Sequence, residues 1–359
     1  MLVVFLIQGR RRFRRWGALA ALFLLPLALV WTYRMLRPLP VVTPLARAQS
    51  LSLTLNRPPP LRTKRTGNLD VTFLAFSDTH FGFESSERDL LGRVHDPVRD
   101  PTGVEKINAE AIADMNAIAG KPWPDALGGS IAAPRGLLIS GDLTEDGDGW
   151  QWRHFVAYYG LNGNDGLVRY PVFEGHGNHD KHRSWYVLDR IRERHGGMNY
   201  AFDWDDLHLV CLGEAPDDTG LAWLAKDLSA TGRERPVLVY FHFPLRGPYS
   251  VDHWFGRGAY RERLKQVLTG YNVIALFHGH YHASGNYRWQ GFDVYNVGAA
   301  KHRQNSFAVV RVTDRELRVA SWHYVADRWE WWKGKPINGA SGTGVEGGSH
   351  AYSAGVVDR

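Results

Sequence analysis

Five short polar clusters rich in Asp, His and Asn each follow an apolar run with the composition of a β-strand. They are SDTH (Ser77 to His80) after VTFLAF, GDLTED (Gly141 to Asp146) after GLLIS, GHGNHD (Gly175 to Asp180) after YPVFE, HFP (His242 to Pro244) after VLVYF, and HGHYH (His278 to His282) after VIALF. In α/β sheets, ligands bind at the carboxyl ends of the strands. Five clusters in that position therefore predict five strand ends converging on one site.

The segments between these runs predict an α/β fold. Helix-like stretches such as VEKINAEAIADMNAIA, WQWRHFVAYY and RERLKQVL alternate with the strand-like runs, and this alternation is typical of sheets covered by helices. After Tyr281 the pattern changes to the closely spaced strands GFDVYNVGAA, SFAVVRVT and LRVASWHYV. TDRE, Thr313 to Glu316, is the predicted hairpin turn between the last two.

The positive charge of the chain is confined to its N-terminal part. The formal net charge is +6, but residues 1–68 contain 12 Lys and Arg and no Asp or Glu, which leaves 31 basic and 37 acidic residues in the remainder. The body of the protein therefore shows no electrostatic footprint for DNA or RNA. The single cysteine, Cys211, excludes an internal disulfide and a thiolate metal cluster.

Residues 1–33 are predicted to be a basic N-terminus followed by a transmembrane anchor. The apolar run Trp16 to Tyr33 is 18 residues long, five arginines precede it, and only Arg34 and Arg37 closely follow it. The positive-inside rule then places the N-terminus in the cytoplasm and the catalytic body outside it. The alternative is a removable export signal, because Arg10 to Phe13 resembles a twin-arginine motif and Ala46 to Ala48 a cleavage site.

Composition divides the rest of the chain into three parts. Residues 34–68, which include PLP, NRPPP and RTKRTGN, are predicted to be a proline-rich basic linker. Residues 69–333 contain all five clusters and are predicted to form one folded domain. Residues 334–359 are rich in Gly and Ser and are predicted to be a flexible tail.

The five clusters together resemble the five sequence blocks of the calcineurin-like metallophosphoesterase family. The matching patterns are D-x-H, G-D, G-N-H-D, H-x-P and G-H-x-H, in that order, over roughly residues 69 to 325. The resemblance implies an α/β fold in which a two-layer sandwich of β-sheets is flanked by helices, here preceded by the predicted transmembrane helix. It also implies two metals held at the strand ends.

The resemblance assigns a role to each matching residue. It implies seven metal ligands, namely Asp78, His80 and His282 on the first metal, Asn178, His242 and His280 on the second, and Asp142 bridging both. It implies that His179 protonates or stabilises the leaving oxygen and that Asp180 orients the His179 ring. His176 and His278 are interpreted as supporting residues outside the ligand set.

These residue types suit hydrolysis of phosphate esters. Asp, Asn and His favour Mn, Fe or Zn, so the cofactor is predicted to be a pair of divalent or mixed-valence ions of these metals. Two such ions about 3.5–4 Å apart neutralise the phosphoryl charge and supply a hydroxide nucleophile near neutral pH, while a histidine assists the leaving group.

The predicted function is therefore a membrane-anchored phosphohydrolase with some preference for phosphodiesters. Its substrate would be a small phosphate ester or a lipid headgroup, and the sequence leaves the oligomeric state open. Two alternatives remain, a phosphomonoesterase or nucleotidase of the same family and a non-catalytic metal-binding membrane protein. Turnover distinguishes the last of these from the enzymes.

Overall fold

The structure is a computed structural model that describes residues 67–89, 91–250, 255, 258–301, 304–339 and 344–348. The predicted transmembrane anchor and nearly all of the predicted linker lie outside these residues. Within the described ranges, no helix combines the length and the apolar character needed to cross a bilayer.

Seven strands of the described residues form the first sheet. They are β1 (Asp70–Phe76), β2 (Leu137–Ile139), β3 (Val172–Glu174), β10 (Ser306–Thr313), β11 (Glu316–His323), β12 (Arg328–Pro336) and β13 (Val345–Gly348). Their order across the sheet is β13-β12-β11-β10-β1-β2-β3. β1, β2 and β3 run parallel, whereas β1 and β10 pair antiparallel, with Phe73 opposite Val310.

In the part of the chain that the structure describes, six strands form the second sheet. They are β4 (Tyr200–Trp204), β5 (Leu207–Cys211), β6 (Val237–Tyr240), β7 (Val273–His278), β8 (Ser284–Trp289) and β9 (Phe292–Val297). Their order is β4-β5-β6-β7-β9-β8. The four central strands run parallel, and the two edge strands, β4 and β8, pair antiparallel with their neighbours.

The two sheets pack face to face through one shared apolar core. In β1, Phe73 and Ala75 belong to this core together with Leu238 of β6, while the alternate residues Leu74 and Phe76 belong to a second core on the outer face. Successive strand residues point to opposite faces, so a continuous apolar run indicates a strand buried on both sides. This explains why Thr72 is the only polar residue in VTFLAF.

Helices cover the outer face of each sheet. α1 (Val104–Ala117), α2 (Gly149–Tyr159) and α3 (Tyr186–His195) contribute to the core on the first sheet, and α4 (Asp218–Thr231) and α5 (Gly258–Leu268) to the core on the second. α2 begins at a capping box formed by Asp148 and Gln151, which satisfies backbone N–H groups in its first turn. The predicted α/β arrangement of two sheets with flanking helices is confirmed.

The predicted strand ends are observed, whereas the predicted tail needs a partial correction. All five apolar runs that precede the polar clusters contain strands, β1, β2, β3, β6 and β7, and Thr313 to Glu316 forms the turn between β10 and β11. β12, however, extends to Pro336, and β13 pairs with it through Gly334 and Val345. Part of residues 334–359 therefore belongs to the first sheet, because backbone hydrogen bonds hold even a glycine-rich strand at its edge.

Asp293 of β9 links the two sheets through charged partners. It accepts hydrogen bonds from Lys333, with Nζ to Oδ1 at 3.2 Å, and from Lys335, both on β12 of the other sheet. Arg288 of β8 lies 3.0 Å from the same carboxylate, which is only 4% exposed. Burial alone raises the pKa of Asp293, but Lys335, Lys333 and Arg288 more than offset it and hold the pKa below its usual value.

Asp293→Asn is expected to lower the free energy of unfolding at pH 7 by about 1.5–3 kcal/mol, the usual contribution of hydrogen bonds to a charged group. Because the folded-state pKa is lowered, this stabilisation is present above the unfolded pKa of about 3.9 and is lost as the pH falls through the folded value. Urea unfolding should therefore show a difference between wild type and variant that shrinks below about pH 4. Asp327→Asn, an exposed partner of Lys121, is the control and should change little. A difference of equal size at pH 7 and pH 3 would contradict the prediction.

Candidate metal centre

Four predicted ligands form one compact group at the carboxyl ends of β1, β2 and β7. Asp78, His80, Asp142 and His282 each offer a ligand atom within 4.8 Å of the others. The Nε2 atoms of His80 and His282 lie 3.2 Å apart, and His282 Nε2 lies 3.2 Å from Asp78 Oδ1. His80 Nε2 is 3.6 Å from Asp142 Oδ2. This group is called the first cluster.

A second cluster shares Asp142 with the first. It contains Asp142, His242 and His280, again with ligand atoms within 4.8 Å of one another. His242 Nε2 lies 3.1 Å from Asp142 Oδ2 and 3.2 Å from His280 Nδ1. The structure thus brings together six of the seven predicted ligands and places Asp142 between the two clusters.

The seventh predicted ligand, Asn178, lies in a segment whose backbone contacts Asp142. The backbone N–H of the next residue, His179, donates to Asp142 Oδ1 at 2.9 Å. The Asn178 side-chain oxygen is buried and has no hydrogen-bond partner among the described residues. A buried amide oxygen normally has a partner, so this atom is suited to accept a cation.

The spacing of the histidine nitrogens fits divalent metal ions. At a metal–nitrogen distance of about 2.0–2.1 Å, two nitrogens on one ion at octahedral to tetrahedral angles are about 2.8–3.4 Å apart. The two histidine pairs, one in each cluster, both measure 3.2 Å. The donor set of each cluster, imidazole with carboxylate, suits first-row ions. The two clusters indicate two metal ions, whose identity the geometry does not select.

Burial keeps several of the ligand histidines neutral. It holds the pKa of His80 well below its usual range and, together with the charge of His242, lowers the pKa of His280 to about 3. His242 behaves differently, because burial lowers its pKa but the Asp142 carboxylate more than compensates and raises it to about 9. Neutral imidazole is the ligand form, so a cation at the second cluster would replace the proton shared by His242 and Asp142.

The backbone at the ligand positions is unusual. Five of the predicted ligands have positive φ although none is glycine, namely Asp78 at 56°, His80 at 47°, Asp142 at 50°, His280 at 68° and His282 at 47°. This left-handed region is sparsely populated by non-glycine residues and costs about 1–3 kcal/mol each. Such strain concentrated on one set of residues indicates a functional site rather than an accident of packing.

Two motif glycines make the close approach of the clusters possible. A Cβ at Gly177 would lie 2.2 Å from Asp142 Oδ1, and a Cβ at Gly279 would lie 1.8 Å from Ser77 Oγ and 2.6 Å from Asp78 Oδ2. All three distances are shorter than real Cβ contacts. The glycines of the G-N-H-D and G-H-x-H patterns are therefore required by the ligand carboxylates that they contact.

His179 lies beside the first cluster on a short 3₁₀ turn, His179–Lys181. Its ring centroid is 4.7 Å from that of His80, and its Nδ1 lies 2.9 Å from the main-chain oxygen of Glu145. Because a carbonyl oxygen can only accept, Nδ1 donates the hydrogen bond. Burial lowers the pKa of His179, but Asp142 and Glu145 more than offset this and raise it above its usual value. Protonated His179 would carry its other proton on Nε2.

Glu145, and not Asp180, is the residue that contacts the Nδ1 atom of the His179 ring. Asp180 is fully buried, and its carboxylate accepts hydrogen bonds from the backbone N–H groups of Gly177, Leu143 and Thr144 and from Thr144 Oγ1. Burial, and then the charge of Asp142, raise its pKa to about 7. Asp180 thus joins the second and third sequence blocks, which fixes the loop that carries His179 rather than its ring.

The sequence interpretation missed two charged residues that contact the site. Glu145 Oε2 accepts a hydrogen bond from His80 Nδ1 at 2.7 Å, and Glu145 Oε1 lies 3.7 Å from His179 Nδ1. Lys301 Nζ lies 3.3 Å from both carboxylate oxygens of Glu145. The position of Glu145 inside GDLTED was a usable signal, but Lys301 belongs to none of the five clusters.

The two histidines interpreted as supporting residues lie outside the ligand clusters. His278 is buried and contacts the hydroxyl of Tyr287 at 3.1 Å, and burial lowers its pKa to about 4. His176 is also buried, with its ring against Gly213, and burial lowers its pKa to about 3. Both are therefore neutral and packed at physiological pH.

A comparison with protein families finds one that matches the chain by sequence. The model of the calcineurin-like phosphoesterase family matches residues 71–284. No curated protein matches the chain.

The solved structures to which the chain is similar share little sequence with it. A dimetal phosphatase from Danio rerio has 13% identity and a TM-score of 0.46, over 77% of this chain and 98% of that one. GAP50, the anchor in the inner membrane complex of Plasmodium, has 10% identity and a TM-score of 0.49, over 75% and 89%. A phosphopantetheinyl hydrolase from Mycobacterium tuberculosis has 15% identity and a TM-score of 0.34, over 65% and 91%.

Proposed function

Because the chain belongs to the calcineurin-like phosphoesterase family, we propose that it hydrolyses phosphodiesters at the centre formed by the two clusters. Family membership makes it a metal-dependent hydrolase of phosphoric esters. The observation that supports this use of the site is the position of Asp142 in both clusters, with His179 beside the first.

Different residues of the chain have different roles in this reaction. Two cations bound in the clusters would neutralise the charge of the phosphoryl group and activate water. Asp142 holds the two clusters at a fixed separation. His179 donates from Nε2 to the departing oxygen, because its Nδ1–H is already donated to Glu145. Such assistance to the leaving group contributes about 10²–10⁴-fold to the rate.

The pairing of nearby cations supports a preference for diesters. Lys181 Nζ lies 2.5 Å from Glu214 Oε2, and Arg183 Nε lies 3.1 Å from Asp146 Oδ1. These two cations lie two and four residues after His179 in the sequence, and each is paired with a carboxylate. A phosphomonoester carries a second negative charge near neutral pH, which benefits from an additional cation, whereas a diester carries one. A monoesterase or nucleotidase is the alternative.

The deciding experiment compares bis(p-nitrophenyl) phosphate with p-nitrophenyl phosphate. We expect the full-length protein in detergent to hydrolyse both only after addition of Mn²⁺, Fe²⁺ or Zn²⁺, with the higher kcat/KM on the diester. A higher kcat/KM on the monoester would overturn the diester preference and leave the enzyme class intact. Two bound metals without hydrolysis of either substrate would favour a non-catalytic role.

We further propose that residues 1–33 anchor the protein in a membrane with the catalytic domain outside the cytoplasm. The support is the 18-residue apolar run from Trp16 to Tyr33 and the five arginines that precede it. Substrates would then be small phosphate esters or lipid headgroups on that side. A β-lactamase reporter fused at the C-terminus should protect a bacterial host from ampicillin. A host that produces the fusion but remains sensitive to ampicillin would show that the C-terminus stays in the cytoplasm, and would reject this topology.

A further inference from the structure

Lys301 is a buried cation that lies next to the candidate site, shortly after the end of β9. It follows β9 on the connection to β10, in the sequence NVGAAK, and is 2% exposed. Its backbone N–H approaches the main-chain oxygen of Asp78 at 3.4 Å, and its Nζ lies 4.6 Å from the centre of the Phe83 ring. The side chain therefore ends within the layer that surrounds the first cluster.

The carboxylate of Glu145 explains why a lysine occupies this buried position. An ammonium group is costly to remove from water unless it is paired and hydrogen-bonded. Both oxygens of Glu145 lie 3.3 Å from Lys301 Nζ. A methionine would fill a similar volume without this cost, so packing alone does not account for the charge.

Glu145 in turn contacts two histidines that have different roles. Its carboxylate accepts the Nδ1 hydrogen of His80 at 2.7 Å, which leaves His80 Nε2 directed at the first cluster. Its main-chain oxygen accepts the Nδ1 hydrogen of His179 at 2.9 Å. A carboxylate behind a ligand histidine fixes the ring and its tautomer. A shift of Glu145 would thus disturb a metal ligand and the leaving-group histidine together.

We propose that Lys301 is a positioning residue that acts through Glu145. By holding both carboxylate oxygens, it fixes the side chain that orients His80 and the main-chain segment that orients His179. The effect on His80 follows from the candidate metal centre alone, whereas the effect on His179 rests on the proposed function. The two parts are measured separately.

The test uses the full-length protein with Lys301→Met, Lys301→Arg, Glu145→Gln and the double variant Lys301→Met/Glu145→Gln. Zn²⁺ affinity is measured by competition with a chromophoric chelator. We expect Lys301→Met to weaken the binding of one of the two ions by about tenfold, at the lower end of the effect of residues that support a ligand. Lys301→Arg, which keeps the charge, should recover part of that loss.

The double variant decides whether Lys301 acts through Glu145. If it does, the double variant binds Zn²⁺ no more weakly than Glu145→Gln alone, because the partner of Lys301 has already been neutralised. Losses that multiply would overturn the proposal, as would wild-type affinity in Glu145→Gln. This last outcome applies even if Lys301→Met does not fold. Lys121→Met, which removes a surface lysine paired with Asp327, is the control and should bind as wild type.

A second readout follows the leaving group. An alkoxide needs a proton as it departs, whereas p-nitrophenolate does not. Lys301→Met should therefore lose about tenfold more kcat on a dialkyl phosphate diester than on bis(p-nitrophenyl) phosphate, and equal losses would remove His179 from the proposal. If no phosphate ester is hydrolysed by the wild type, the proposed function fails while the Zn²⁺ measurements still decide the role of Lys301.

Discussion

Replacing Asp142 with alanine is expected to abolish both metal retention and ester hydrolysis. Asp142 contributes to both clusters, lying 3.6 Å from His80 Nε2 and 3.1 Å from His242 Nε2. Removing a residue that merely supports a ligand costs about 10–100-fold in affinity or activity. Loss of a shared ligand weakens two ion sites at once, so we expect turnover to fall by more than about 10³-fold.

The measurement is metal content by elemental analysis after gel filtration, together with kcat on bis(p-nitrophenyl) phosphate. Asp146→Ala is the matched control, because Asp146 belongs to the same segment but pairs with Arg183 rather than with the clusters. The control should retain two metals. Near-UV circular dichroism checks that both variants are folded. Two metals retained by Asp142→Ala would refute its bridging position.

Replacing His179 with alanine is expected to keep the metals and lose most of the rate. His179 belongs to neither of the two clusters that share Asp142, although its ring lies with His80 and Glu145 in a third group of potential ligand atoms. Its Nε2 points away from its hydrogen bond with Glu145. We therefore expect kcat to fall by about 10²–10⁴-fold, the range of general acid catalysis. The loss should be smaller for p-nitrophenyl esters, whose leaving group needs little protonation.

Metal content separates this effect from that of Asp142. His182→Ala is the matched control, since His182 is three residues away, is 65% exposed and pairs with Asp146. It should retain both metals and nearly the wild-type rate. If His179→Ala lost metal to the same extent as Asp142→Ala, His179 would have to be counted among the ligands, and its proposed role would be wrong.

Sequence patterns predicted the strands and the positions of the clusters because both are local properties. A buried parallel strand requires a continuous apolar run, and VTFLAF and VIALF supply it. The clusters follow these runs directly, so the direction of the strand places them. The sheet edge at residues 345–348 was missed because Gly347 and Gly348 have low strand propensity, and the pairing with β12 holds them there.

Which side chains contact one another depends on the three-dimensional fold, and neighbouring positions in the sequence do not determine it. Asp180 directly follows His179, which favoured a contact between them. On a 3₁₀ turn, however, successive side chains are about 120° apart, and Asp180 faces the backbone of Thr144 instead. Glu145 reaches His179 from another strand end. Lys301 comes from the opposite sheet, 156 residues further along the chain than Glu145. A local sequence pattern does not indicate a contact between residues so far apart in the chain.

The first cluster joins two distant parts of the folded chain, because His80 and His282 are 202 residues apart and follow strands of different sheets. Contacts at such separation form slowly, since a long loop must close before they contribute. Tight cation binding must then follow the packing of the two sheets, so it indicates that folding is complete. In the reverse direction, a bound cation opposes separation of the sheets, so the loaded protein should unfold more slowly than the metal-free one.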